Sequence, residues 1–419
     1  MKSRVTGLHR ARRSLWTAAS TAALLLLCGF SAAGARATIN ADQVLVIDGQ
    51  KVFPIGFTMP PPPDGRTPAG QDAVGELAAA GATFLRTGGR WTPANLEREQ
   101  KYMDAAARHG LHCLPYLREH ARVSTAAEET ELRRLINRFK NHPGLGAWKG
   151  EDEPEWGKVP IPPLVRAHDL IKAIDPDHPV VIIHAPRGTV ESLRKYNVTG
   201  DILGMDIYPV SYPPGRHSEL PNRTLSLVGD HTRIVMEAAE GKKPVWMVLQ
   251  ISWSGVLNPG TTLRMPTFPE ERFMTYEAII TGARGLIYFG GDNLGAMPER
   301  DKKLGWNWTF WEKELRPVIE EIGSHSPLYP ALVAPDSNLP IRASGSGMEW
   351  RAREVGRDLL ILACKREGAT EKVEFSGLPL GPGKGEVLYE PPRRVEATSG
   401  RFSDWFAPFE AHVYKFRFQ

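Results

Sequence analysis

Apolar residues in this chain gather into short continuous runs, each followed by a longer stretch in which they recur every three or four positions. The short runs, residues 52–58, 83–87, 111–117, 145–150, 180–183, 201–210, 244–250 and 285–291, read as strands. The stretches between and after them, residues 72–80, 92–110, 129–140, 164–174, 231–240, 270–283 and 315–322, read as helices. Thr92-Pro93 supplies a cap and a first-turn proline, and Leu132, Leu135, Ile136 and Phe139 repeat at helical spacing. Val180, Val181, Ile182 and Ile183 leave no polar face, as in a strand covered on both sides. Eight consecutive strand-helix units predict a (β/α)8 TIM barrel over residues 38–332, in preference to an open doubly wound sheet.

From residue 333 the period changes to two. Tyr414 and Phe416 alternate with Lys415 and Arg417, and glycine and proline punctuate short runs such as 359–363, 372–375 and 386–389. This pattern predicts a small all-β sandwich over residues 333–419. It carries no cluster of acids, histidines or cysteines, so its expected role is to cover apolar barrel surface.

The first residues follow a third pattern. Lys2, Arg4, Arg10, Arg12 and Arg13 precede an apolar core at 18–30 and small residues ending Ala35-Arg36-Ala37. That order predicts a signal peptide over residues 1–37, cut after Ala37, and a protein that is secreted or periplasmic with no stable membrane insertion afterwards. Arg12-Arg13 leaves both the general and the twin-arginine export routes open. The formal charge of +4 owes much to this leader, and nothing in the remaining 42% hydrophobic, 24% charged chain calls for nucleic acid. Cys113 and Cys364 are far apart and each lies in an apolar run, so no disulfide is expected. No zinc spacing, phosphate loop or Gly-x-Ser-x-Gly elbow supports a metal or cofactor.

The chemistry concentrates at residues 145–155, where an apolar run ends in Glu151, Asp152, Glu153 and Pro154. Packed acids repel one another, so such a cluster at a strand end is expected where the acids are used. Strand alternation puts Glu151 and Glu153 on one face at the carboxyl end, where barrels keep their active sites. Arg86 ends the second strand and needs an acidic partner; His184 ends the fifth; Asp206 and Tyr208 lie near the end of the sixth; Asp292 follows the eighth. Trp253, Trp306, Trp308 and Trp311 are candidate platforms for sugar rings.

The barrel followed by a sandwich, the 148–154 strand end, Asp206-Ile-Tyr-Pro209 and the final 406–414 segment resemble secreted barrel glycosidases related to the retaining clan A glycoside hydrolases. The resemblance implies a carbohydrate substrate and Glu153 as general acid/base, with Asp152 in the position that contacts the sugar 2-hydroxyl. It also implies a nucleophilic glutamate on strand seven, where this chain has Gln250. An amide cannot attack, which leaves three routes. Asp206 activates a water with inversion, a carboxyl separation of about 6.5–9.5 Å being required; a substrate acetamide attacks, with Tyr208, Asp152 or Gln250 orienting it; or the barrel binds carbohydrate without turnover. Different chemistry on the same barrel is a further reading.

Overall fold

The computed structural model describes residues 34–252, 264–379 and 383–417. Residues 1–33 of the leader and Trp253 lie outside them. Eight strands form the central sheet: β1 (Ile55–Thr58), β2 (Phe84–Arg86), β3 (His112–Cys113), β4 (Trp148–Asp152), β5 (Val180–His184), β6 (Ile202–Asp206), β7 (Val245–Gln250) and β8 (Gly285–Phe289). They run parallel, each beside its sequence neighbour, with β8 next to β1. The ring closes between β3 and β4, where Cys113 N donates to Gly144 O at 2.6 Å and Lys149 N to Pro115 O at 3.0 Å. This is the expected (β/α)8 barrel.

Local rules account for the helices. Pro93–Arg108 starts where Thr92 accepts from Asn95 N, and Ala126–Phe139 starts in a capping box between Thr125 and Glu128. The second begins before the apolar period does, because its first turn is polar and is specified by the box alone. Phe268–Thr281 is buried nearly all round, Glu271 and Glu277 included. The reason is the sandwich lying on its outer side, where Phe273 meets Phe409 edge-on with ring centroids 5.2 Å apart.

That sandwich contains β9 (Arg342–Ala343), β10 (Met348–Val355), β11 (Asp358–Lys365), β12 (Glu371–Ser376), β13 (Gly383–Leu388), β14 (Arg394–Ala397), β15 (Phe402–Phe406) and β16 (Ala411–Arg417). They form a three-stranded sheet, β9-β12-β15, and a five-stranded one, β10-β11-β16-β13-β14. On β11 the period of two divides the burial. Leu360, Leu362 and Cys364 join the barrel's core, while Leu359, Ile361 and Ala363 join the sandwich's own. Arginines lock the contact: Arg351 Nε donates to Ile280 O at 2.6 Å and Arg353 Nη1 to Leu332 O at 2.7 Å.

A short antiparallel sheet, Ala37–Ile39, Leu45–Ile47 and Gln50–Val52, covers the base of the barrel. Ala35, Ala37, Leu45 and Ile47 pack in one cluster with the barrel-lining Phe84, Leu114, Val181, Ile202 and Trp246. Residues before Thr38 are thus part of the fold: Ala37 N donates to Asp177 O at 2.8 Å and Asp48 N to Arg36 O at 2.9 Å.

Candidate active site

With its base plugged, the barrel opens only at the carboxyl ends of its strands, onto a cavity of about 700 Å³. Leu114, Ile183, Trp246, Val248 and Ile287 floor it; Arg86, Lys149, Asp152, Glu153, Asp206 and Tyr208 line its walls; Trp156, Arg187, Arg216 and His217 come from the loops after β4, β5 and β6.

An irregularity on β4 aims the acids. Pairing with β5 matches Lys149 to Val181 and then Asp152 to Ile183, so one extra residue bulges from β4. The bulge lets Lys149 and Asp152 both line the cavity and turns Glu151 away, where Arg122 Nε holds Glu151 Oε2 at 2.5 Å. Glu153 follows with φ of 49° and its amide donating to Ile183 O at 2.7 Å. A side chain held in this left-handed region costs about 1–3 kcal/mol and tends to mark sites where geometry is imposed. Beneath it, the buried Lys149 ammonium is 2.9 Å from Asp152 Oδ1 and donates to Glu151 O at 2.6 Å. Burial lowers the pKa of Lys149, while on Asp152 the charges of Lys149 and Arg86 outweigh burial and hold the carboxylate ionised. Arg86, Arg118 and Lys149 surround the Tyr116 ring at 4.8, 5.0 and 4.9 Å. Gly88 permits this grouping: with φ of 93°, a Cβ there would sit 2.3 Å from Tyr116 N.

Glu153 and Asp206 meet across the cavity. Their carboxyl oxygens come within 4.8 Å of each other, and Tyr208 lies beside Asp206. Burial raises the pKa of Glu153, reinforced by Asp152; burial raises that of Asp206 further, reinforced by Glu153 and Asp152. Like charges this close disfavour double ionisation, so the pair holds a proton more tightly than either carboxyl would alone. Tyr208 stacks between His217 and Phe289, with centroids at 4.4 and 5.3 Å.

Ligand atoms of Glu153, Asp206 and His217 lie within 4.8 Å of one another, a spacing a cation would fit. The histidine's tautomer opposes that use. Tyr208 N donates to His217 Nδ1 at 3.2 Å, which puts the ring hydrogen on Nε2, facing Asp206 Oδ2 at 3.6 Å. Burial drops the His217 pKa to about 3, so the ring beside the acid pair is neutral.

No family model matches the chain, and no curated protein sequence matches it. Solved structures do. A glycoside hydrolase superposes at TM-score 0.59 with 12% identity, covering 92% of this chain and 97% of that one. A glycoside hydrolase family 5 protein from Bacteroides vulgatus gives 0.59 and 12%, covering 92% and 93%. An alpha-amylase from Geobacillus thermoleovorans gives 0.54 and 11%, covering 87% and 98%. The fold is thus one that these proteins share, a (β/α)8 barrel followed by β sheets.

Within the barrel, Glu153, Asp152, Asp206, Tyr208 and Arg86 come together in the cavity. Asp292 borders an adjoining cavity of about 300 Å³ that shares Arg86. Three expected site residues lie elsewhere. Glu151 is turned out by the bulge. His184 is fully buried beside Tyr196, outside the cavity lining, and burial lowers its pKa to about 4. Gln250 is fully buried with both ends of its amide on one backbone unit, Val210 N to Oε1 and Nε2 to Val210 O, each 2.8 Å. Trp306, Trp308 and Trp311 are core residues around Phe57 rather than ring platforms. Sequence reasoning missed Lys149, Trp156, Arg187, Arg216 and His217. Only Lys149 carried a signal, a cation inside an otherwise apolar strand.

Proposed function

We propose that the protein is an exported glycoside hydrolase that cleaves O-glycosidic bonds of an oligo- or polysaccharide with retention of anomeric configuration. The observation that carries this reading is the close approach of the Glu153 and Asp206 carboxyls, just past the end of β4 and at the end of β6, both lining the cavity. A pair sharing one proton has one acid and one carboxylate, as a double displacement requires. Inversion through a water needs carboxyls about 6.5–9.5 Å apart, whereas retention needs about 5–5.5 Å, and carboxyl oxygens that come within 4.8 Å of each other support the closer arrangement. The water-activating role first expected for Asp206 therefore gives way to direct attack. The proton that burial favours on Asp206 passes to Glu153 as substrate binds, Glu153 gives it to the glycosidic oxygen as that bond breaks, and the carboxylate so freed on Asp206 bonds to the anomeric carbon. Water then displaces Asp206 and returns a proton to Glu153. His217 and Tyr208 steady the carboxylate of Asp206, and Gln250, tied to Val210, takes no part. The basic and apolar leader supports export.

Glu153→Gln is expected to lose about 10²- to 10⁴-fold in rate on substrates with poor leaving groups and less on activated aryl glycosides. A 2-deoxy-2-fluoro glycoside should label Asp206 in a peptide map, and early proton NMR should show the retained anomer. Inversion, or a fully active Glu153→Gln, would overturn the scheme. Sugar binding with no turnover by the wild type would identify a carbohydrate-binding barrel instead.

A further inference from the structure

The cavity holds more positive charge than its acids require. Asp152 faces both Lys149 and Arg86, and the Glu153–Asp206 pair carries one negative charge between its two carboxyls. Two further guanidinium groups enter from the loops after β5 and β6. Arg187 has one carboxylate partner, Glu219 at 2.6 Å, but Glu219 is itself two-thirds exposed, so the pair is screened and readily exchanged. Arg216 is exposed, lines the cavity, and has no carboxylate within ion-pair distance among the described residues. The remaining acid of that rim, Glu155, is taken by Lys158 at 2.7 Å.

These guanidinium groups stand beside a surface suited to a ring. Trp156 is 56% exposed at the cavity wall, and Arg187 lies 5.9 Å from its ring centroid. Arg187 is also near enough to Glu153 for its charge to oppose, with that of Lys149, the protonation that burial and Asp152 favour. A sugar on Trp156 therefore adjoins the scissile bond and presents its substituents to two guanidinium groups. Guanidinium forks match carboxylate and sulfate oxygens in geometry and charge, and a neutral hydroxyl would leave them unmatched.

We infer that the substrate is an acidic glycan, its carboxylate or sulfate held by Arg187 and Arg216 on the sugar that stacks against Trp156. This inference rests on the glycosidase reading of the same cavity. The test compares oligosaccharides of polygalacturonate and alginate with their carboxyl-reduced forms, and oligosaccharides of carrageenan with their desulfated forms. Turnover is measured on the wild type and binding on Glu153→Gln. The acidic member of at least one pair is expected to bind and turn over better by about tenfold or more, the worth of one charge-assisted contact, and to lose that advantage as salt is raised. The pair that responds separates carboxylate from sulfate. Arg216→Ala, at an exposed position that should not disturb folding, should raise KM on the acidic member more than it lowers kcat, with Arg216→Lys recovering part of the loss. Turnover of neutral members equal to or better than acidic ones would overturn the inference and leave the hydrolase standing. Salt-sensitive binding of acidic members without turnover would keep the inference and remove the hydrolase. No binding of any acidic member would overturn it outright.

Discussion

Gln250 is the residue whose role changes most between sequence and structure. As a polar side chain ending a barrel strand it reads as a substrate contact, yet its amide completes both hydrogen bonds of the Val210 peptide, a partner that carries no sequence signal. Gln250→Glu would set a carboxylate oxygen against Val210 O, so it should cost about 1–3 kcal/mol, read as a lower Tm, and restore no activity. Asp206 makes an opposite kind of prediction. Burial and its acidic neighbours raise its pKa above the unfolded value, so the folded state holds the proton more tightly. Stability from this group is thus present at low pH and falls as pH rises from the ordinary carboxylate range toward the raised value. Asp206→Asn should accordingly gain in Tm relative to wild type at pH 8 compared with pH 4, while losing turnover; a Tm difference independent of pH would contradict the shared proton.

At the scale of elements, the alternation of strands and helices was legible because each barrel strand is apolar and most of the helices have a polar side. The acids at the ends of β4 and β6 were legible for the same reason, since a carboxylate terminating an apolar run stands out. The bulge in β4 was not. Gly150 and Lys149 give no apolar parity to follow, so strict alternation put Glu151 inward and overlooked Lys149. His217, Arg216 and Arg187 lie in loops whose proline-rich sequence has no period at all. The bulge depends on Lys149, which ties Asp152 to the backbone of Glu151. Lys149→Met should therefore destabilise by about 1–3 kcal/mol, less than a fully enclosed pair because Asp152 faces the open cavity. It should also reduce turnover by freeing Asp152 to move, and Asp152→Asn combined with it should recover part of the stability, as a thermal melt of the three variants would register.

For the whole molecule, the sandwich was legible in its alternation, but the double burial of β11 was not, because a strand covered on both faces loses the contrast that marks its sides. The plug at the barrel base is too short to show a period in the sequence, and its first residues, 34–37, fall within the expected leader. Their packing under the barrel makes a start before Thr38 the expected one, testable by sequencing the exported protein's N-terminus. The plug also has a kinetic meaning. Its residues near the chain start bond to Asp177 and pack on Val181, Ile202 and Trp246, partners that come together only once the later strands have assembled. Contacts of such long sequence separation form after the main folding barrier, and interactions made after it slow unfolding without hastening folding. A chain starting at Thr38 should therefore show a steeper loss on the unfolding arm of its denaturant chevron than one starting at Gly34, with the refolding arm unmoved. The plug would then act as a latch, setting how long the folded chain lasts rather than how quickly it forms.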